Sequence, residues 1–263
     1  VSSGQESWAL GLYKRSVLKQ QKFAAISALL EPTQGKRCLD IGADNGVISL
    51  LLRQRGGEWA SADLAPEAVE SIRSLVGGQV EQIHGGPTPF ADNEFDCVVV
   101  VDFLEHIADD TGFAAELGRI IKPGGQLIVN VPRPPRWSLV WPLRHAIGLT
   151  DQWHGHLRPG YRQQGLAALL EPWFSVTAAR TYCKTFSELL DTGLNLGYVI
   201  KKGSAKGQAA TAKGTVVTAA DWRQGPKGLV DAAYPLMKFW VWLDHLLPFF
   251  RGYRLIASAR RKG

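Results

Sequence analysis

Four aspartates close apolar runs in this chain, and their placement limits what could bind beside them. Asp40 and Asp44 flank the end of the first run in "RCLDIGADNG", Asp63 ends "WASAD" and Asp102 ends "DCVVVVD". Two unit charges 4 Å apart interact by roughly 1 kcal/mol in water and roughly 4 kcal/mol near a protein surface. Several carboxylates at one mouth would therefore repel a pyrophosphate and favour a cationic or hydroxyl-bearing ligand. Gly42 and Gly46 permit close backbone approach in the same turn. Asp63, a short distance further on, is placed to accept hydrogen bonds from both hydroxyls of a ribose.

S-adenosylmethionine meets these demands, with a sulfonium, an ammonium, a ribose diol and no phosphate. NAD would bring Gly-x-Gly-x-x-Gly, whereas this turn reads Gly-Ala-Asp-Asn-Gly. Methyl transfer from a sulfonium needs a base only when the nucleophile must lose a proton. His106 in "LEHI" is the first candidate, with an unperturbed pKa of about 6.5. His154 and His156 in "WHGHLRPGY" are the second. Each has a structural alternative, in which the ring packs or braces a loop.

The elements that must carry these residues alternate. Strands are expected at Arg37–Ile41, Trp59–Asp63, Val80–Ile83, across "FDCVVVV" and at Gln126–Val131, with helices at Gly46–Arg53, Pro66–Val76 and Phe113–Ile121. Such alternation means crossover units on a parallel sheet, and "FDCVVVV" is apolar enough to be a central strand buried on both faces. "FSVTAARTY" and "YRLIASARR" supply two more strands. The expected fold is α/β, a doubly wound seven-stranded, mostly parallel sheet with inserted helical cap segments. It is a single domain over 1–263, with its core in 17–131, 160–182 and 252–263 and insertions at 132–159 and 184–251.

The insertions have their own chemistry. Arg133, Arg136, Arg144 and Arg158, interleaved with Trp137, Trp141 and Trp153, could hold a phosphate or carboxylate, form a basic aromatic surface against anionic lipid, or simply pack. "KKGSAKGQAATAKG" is expected to be a mobile loop. From 229 to 247 an apolar helical face carries Asp231, Lys238 and His245 in one narrow polar line, which suits a helix that is buried or lies on lipid.

Composition narrows the class. Over 263 residues, 45% hydrophobic and 21% charged content suit a globular chain. The net charge of +6 points to an anionic partner, or to an ordinary solvated basic face. Three cysteines make no disulfide framework and match no metal-site spacing, so no metal is expected and a reducing cytoplasm fits. "VSSGQESW" lacks the flank and apolar run of a secretory signal. The expected location is cytoplasmic, with peripheral contact to the inner membrane face.

"CLDIGADNG", the end of "WASADL", "PFADNEFDCVVVVDFLEHI" and "LGRIIKPGGQLIVNVP" resemble, in order, the successive motifs of Rossmann-like S-adenosylmethionine-dependent methyltransferases, nearest to the small-molecule branch that includes quinone-biosynthesis enzymes. The resemblance covers roughly residues 25–182, and the final strand suits the antiparallel strand that this family adds. "HGHLRPGY" is similar, more weakly, to members that tailor glycans or lipid-linked saccharides. The resemblance implies that Asp40, Gly42, Ala43, Asp44 and Gly46 surround the methionine moiety and that Asp63 holds the ribose beside Leu64. Asp102 and Phe103 would border the sulfonium and the acceptor. The family's middle glycine is Asp44 here, and "HGGPTPF" lacks the usual acidic adenine contact, leaving His84 or a backbone group to substitute. The expected activity is methyl transfer to a small or lipid-/glycan-linked acceptor, at oxygen. A cofactor-binding protein without turnover and an RNA methyltransferase are the alternatives. Nucleic acid is disfavoured because no Asn/Asp-Pro-Pro-aromatic motif or Pro-Cys pair is present.

Overall fold

The computed structural model describes residues 8–134, 138, 140–202, 222–223 and 227–263. Seven strands form one sheet: β1 (Arg37–Ile41), β2 (Glu58–Asp63), β3 (Val80–Gln82), β4 (Phe95–Val101), β5 (Ile121–Pro132), β6 (Phe174–Tyr182) and β7 (Arg254–Arg261). Their order is β3-β2-β1-β4-β5-β7-β6. Strands β1 to β5 pair in parallel, and β7 runs antiparallel to both of its neighbours. Strand order reverses between β1 and β4, which makes the carboxyl ends of these two strands the natural ligand crevice.

The helices follow the alternation: α1 (Trp8–Lys14), α2 (Val17–Ser27), α3 (Val47–Arg53), α4 (Pro66–Val76), α5 (Asp110–Ile120), α6 (Trp141–Ala146), α7 (Gln163–Leu170), α8 (Thr185–Lys202) and α9 (Lys227–Trp242). Local chemistry sets several ends. Pro66 opens α4, where its missing N–H is harmless. The Asp109 side chain caps α5 by accepting the Gly112 N–H at 2.7 Å.

Alternation of side chains along each strand produces two core layers. Leu39, Ile41, Val98, Val100 and Phe103 face one layer, with Phe113 and Leu117 of α5. Cys38, Val99 and Val101 face the other, with Ile48 and Leu52 of α3 and Ile26 of α2. β4 is buried on both faces, as its valine run requires.

The final strand, β7, inserts between β5 and β6. Two expectations change. β5 begins at Ile121 because Phe95 pairs with Ile121 and Cys97 with Gln126, so Pro123-Gly124-Gly125 bulges out of a strand already under way. The 229–247 helix stops at Trp242, and a short 3₁₀ turn follows at Leu243–Leu246. Asp244 in that turn accepts the backbone N–H groups of Lys184, Phe186 and Ser187, capping α8 from outside its own segment. His245 therefore leaves the helical line of Asp231 and Lys238. Nor is α9 buried, since Leu229, Leu236, Phe239 and Trp242 are exposed. No helix among the described residues is long and apolar enough to cross a membrane. From residue 203 onward the Gly/Ala/Lys-rich stretch lies outside the described residues, as do Arg136 and Trp137.

Candidate active site

Gly42 leaves β1 with φ +88°, and a side chain there would place its Cβ 2.2 Å from the Val101 carbonyl oxygen. Only glycine fits, because β4 passes directly against the turn. Gly46 caps α3 at φ +82°, where an added Cβ would meet the Ile72 backbone at 3.0 Å. Asp44 takes the left-handed conformation between them at φ +59°, a region Asp tolerates better than most residues.

The aspartates have different roles. Asp40 is fully buried: its carboxylate accepts from the Ser49 hydroxyl at 2.5 Å, the Ser61 hydroxyl at 2.8 Å and the Arg53 guanidinium at 3.2 Å. It ties β1 to α3 and β2 and does not line the cavity described below. Asp63, also buried, accepts the N–H groups of Asp44 at 3.2 Å, Leu64 at 2.7 Å and Ala65 at 3.4 Å. It joins the end of β2 to the glycine turn.

Asp44 and Asp102 do line a cavity of about 340 Å³ at the strand ends, with Gly42, Ala43, Glu105 and His106. Asp102 has φ +44° and receives Lys22 Nζ at 2.5 Å, Arg254 Nη1 at 3.0 Å and Asn130 Nδ2 at 2.8 Å. Lys19 Nζ stands 3.7 Å from Asp44. The cavity wall thus carries Asp44, Asp102 and Glu105 against Lys19, Lys22 and Arg254. The mouth is charge-balanced, not acidic, because α2 and β7 bring in cations remote in sequence.

Three other expected contacts change. Phe103 is fully buried beneath the turn, with its ring centroid 4.9 Å from that of Phe113. Leu64 packs onto the same core layer. His84 is exposed after β3 and does not line the cavity.

The histidines converge. His106 Nδ1 lies 3.0 Å from the Gly155 carbonyl, an acceptor only, so the neutral ring carries its proton there and its lone pair on Nε2. The His106 and His156 rings meet edge to face at 5.0 Å, and His154 stacks on His156 at 5.3 Å. His154 Nε2 accepts from Arg144 at 2.9 Å. Burial first, and then the Arg144 charge, pull the His154 pKa down to about 3. A ring held neutral with its lone pair engaged cannot serve as a general base, which removes His154 from that role. His156 Nδ1 lies 3.6 Å from Asp151 Oδ1, a pairing that holds Asp151 below the usual carboxylate range. Glu105, His106 and His156 each offer one atom within 4.8 Å of the others. Those N and O donors are chemically able to hold a divalent ion, a grouping that cysteine spacing gave no reason to expect.

Beside this cavity lies a second of about 520 Å³, which shares Lys19, Asp44, His154, His156 and Arg254 with it and is roofed by Trp141, Arg144 and Leu149. Of the cap arginines, Arg144 is used internally, donating to Asp191 at 3.0 Å. Arg158 pairs with Asp110 and donates to the Ile107 and Ala108 carbonyls at 2.9 and 2.8 Å. Lys19, Lys22, Asn130 and Arg254 were missed as site residues. Their one local signal is the i, i+3 spacing of the two lysines on α2.

Comparison with known proteins agrees with this geometry. Residues 39–129 match the model of a methyltransferase domain family. The chain is 34% identical over 112 residues to a ubiquinone biosynthesis O-methyltransferase of Xanthomonas axonopodis pv. citri, covering 40% of this chain and 46% of that protein. It is 28% identical over 115 residues to a demethylmenaquinone methyltransferase of Tropheryma whipplei, covering 43% and 48% respectively. The chain therefore spans about half the length of the curated relatives it matches. In fold it is similar to an S-adenosylmethionine dependent methyltransferase from Mesorhizobium loti, with a TM-score of 0.58 at 15% identity over 92% of this chain and 98% of that one. Residues 39–129 are thus similar to a methyltransferase domain, and the seven-stranded sheet that carries them shares its fold with that S-adenosylmethionine dependent methyltransferase.

Proposed function

We propose that the chain transfers a methyl group from S-adenosylmethionine to an oxygen of a small or lipid-/glycan-linked acceptor. The observation that carries this reading is the pair of adjoining cavities at the strand-order reversal, one under the glycine turn and one under the cap, meeting at His156 and Arg254. A two-substrate transfer needs such a junction.

The residues present fit the cofactor. A cavity of about 340 Å³ lies within the range of small-ligand sites, and Asp44 and Asp102 offer acceptors for an ammonium. Asp63 would hold the ribose once the Asp44 N–H gives way. When bound, the sulfonium supplies an already activated methyl group. The protein's task is alignment, worth up to roughly 7–11 kcal/mol in favourable cases. His106, with its lone pair on Nε2, takes the proton from an acceptor hydroxyl, and His156 and Glu105 fix its ring. The proposed single domain has residues 132–159 and 184–251 as its cap. Contact with anionic membrane is supported by the exposed apolar face of α9 and by the surplus of basic groups.

Calorimetric titration with S-adenosylmethionine tests the first half, with saturable binding expected. Incubation with labelled cofactor and fractionated lipid, glycan and RNA extracts tests the second. His106→Gln should lower the transfer rate by about 10²-fold or more while leaving cofactor binding in place. Binding without transfer to any fraction would leave a cofactor-binding protein without turnover, and label on RNA would overturn the acceptor class.

A further inference from the structure

Arg133, Arg162 and Arg251 line a third cavity, of about 490 Å³, with Phe249, Phe250 and Tyr253. Among the described residues, none of the three forms an ion pair with a carboxylate. Glu188 also lines the space, but both its oxygens accept the Ser138 hydroxyl at 2.7 Å. Among the described residues, the trio's one side-chain hydrogen bond runs from Arg133 Nη1 to the Gly252 carbonyl at 3.3 Å. Burial first, and then the neighbouring Arg251 and Arg162 charges, hold the Arg133 pKa below its ordinary value. Three like charges facing one space repel each other, and an anion placed among them relieves that repulsion. Guanidinium forks match the oxygens of a phosphoryl group and can bind it bidentately.

The surroundings say what carries the anion. Phe249 is 94% exposed, and Phe250, Leu246 and Trp242 are exposed on the same short stretch. Aromatic and aliphatic side chains left in water beside unpaired guanidiniums match an apolar chain joined to a phosphate. The cavity is also connected inward, since it shares Arg133, Glu188 and Tyr253 with the chamber under the cap. That chamber meets the strand-end cavity at His154, His156 and Arg254. A long acceptor can therefore run from the histidines out to the arginines.

We propose that Arg133, Arg162 and Arg251 grip the phosphoryl group of a lipid-linked acceptor, whose first apolar carbons lie against Phe249 and Phe250. This rests on the reading of the chain as a methyltransferase and names its acceptor class. The bond broken and the bond formed remain those of methyl transfer, and the phosphate is held, not attacked.

Co-sedimentation of the full chain tests the site. One set of phosphatidylcholine vesicles carries a polyprenyl monophosphate, and a second carries the same charge as phosphatidylglycerol. The wild type should favour the first about tenfold, because a terminal phosphoryl group presents three oxygens to the guanidiniums where the phosphodiester of phosphatidylglycerol presents two between ester links. Arg162→Gln/Arg251→Gln should lose that preference, with an unchanged melting temperature showing that it is folded. Arg55→Gln/Arg180→Gln, which removes two exposed charges elsewhere, should keep it. Equal retention on both vesicle types, or an unaffected double variant, overturns the phosphoryl site. Competition by inorganic phosphate as effective as that by the polyprenyl phosphate overturns the lipid-linked source. Titration with S-adenosylmethionine on the same samples separates the two readings. If titration is intact and vesicle preference absent, the site alone fails; if the wild type does not titrate, the methyltransferase reading fails with it.

Discussion

The strand ends and the outer cap treat charge in opposite ways. At the strand ends three carboxylates of the wall or floor each have a cation nearby: Arg53 for Asp40, Lys19 for Asp44, and Lys22 with Arg254 for Asp102. At the outer cap, Arg133, Arg162 and Arg251 share one space with no carboxylate paired to them among the described residues. A matched site is complete without its ligand and is held rigid. An unmatched site leaves part of its electrostatics to whatever binds. On the proposed function, this difference would assign cofactor geometry to the sheet and acceptor recognition to the insertions.

The comparison breaks first at the glycine turn. Gly42→Ala adds a Cβ against the Val101 carbonyl at a positive φ, so a loss of about 3 kcal/mol is expected. For a chain of this size that is a fall in Tm of roughly 6–12 °C. Calorimetry would show it, together with lost cofactor binding. A variant that melts like the wild type would mean that the turn is not held as rigidly as the sheet beneath it.

A smaller effect is expected at Glu116 on α5. Burial alone would raise its pKa, but hydrogen bonds from Arg119 and Thr88 outweigh burial and hold it below the ordinary value. A carboxyl depressed in the folded state contributes stability that is complete above its unfolded pKa and is lost as pH falls through the folded value. Denaturant midpoints should therefore fall on acidification below the unfolded pKa. In Glu116→Gln that acid limb should flatten, with about 2 kcal/mol lost at neutral pH. An unchanged acid limb would show that the Arg119 and Thr88 bonds do not hold the Glu116 carboxylate in the folded chain.

The smallest expected change in stability is on the cap. Phe249→Ser/Phe250→Ser alters exposed side chains, so stability should move by no more than about 0.5 kcal/mol, while retention on polyprenyl phosphate vesicles falls. A large drop in Tm would show that these rings pack in the folded chain and are not held out for a ligand.

Much of the frame was legible in the residues. The "FDCVVVV" run could only be a central strand, because no half-exposed strand is apolar on both faces, and β4 lies between β1 and β5. Pro66 marked the start of α4 to the residue. The site was legible only in part. Gly42, Ala43, Asp44, Asp102, His106, His154 and His156 do meet at one cavity. Asp40, Gly46, Asp63, Leu64, His84 and Phe103 do not line it, since a motif gives positions along the chain without saying which way a side chain faces. The acidic-mouth expectation failed for a related reason. It counted the aspartates of one segment and could not count the cations that approach from α2 and β7.

The sequence by itself determined the order of strands and helices and the need for glycine at Gly42, because periodicity and backbone preference act over a few residues. Only the tertiary structure decided which charges meet. Asp102 is paired with Lys22, 80 residues away, and with Arg254, 152 residues away. Arg133 gathers with Arg162 and Arg251 across the cap. Coulomb forces depend on distance in space, and that distance is fixed only after the sheet has closed around residues that are strangers in the chain.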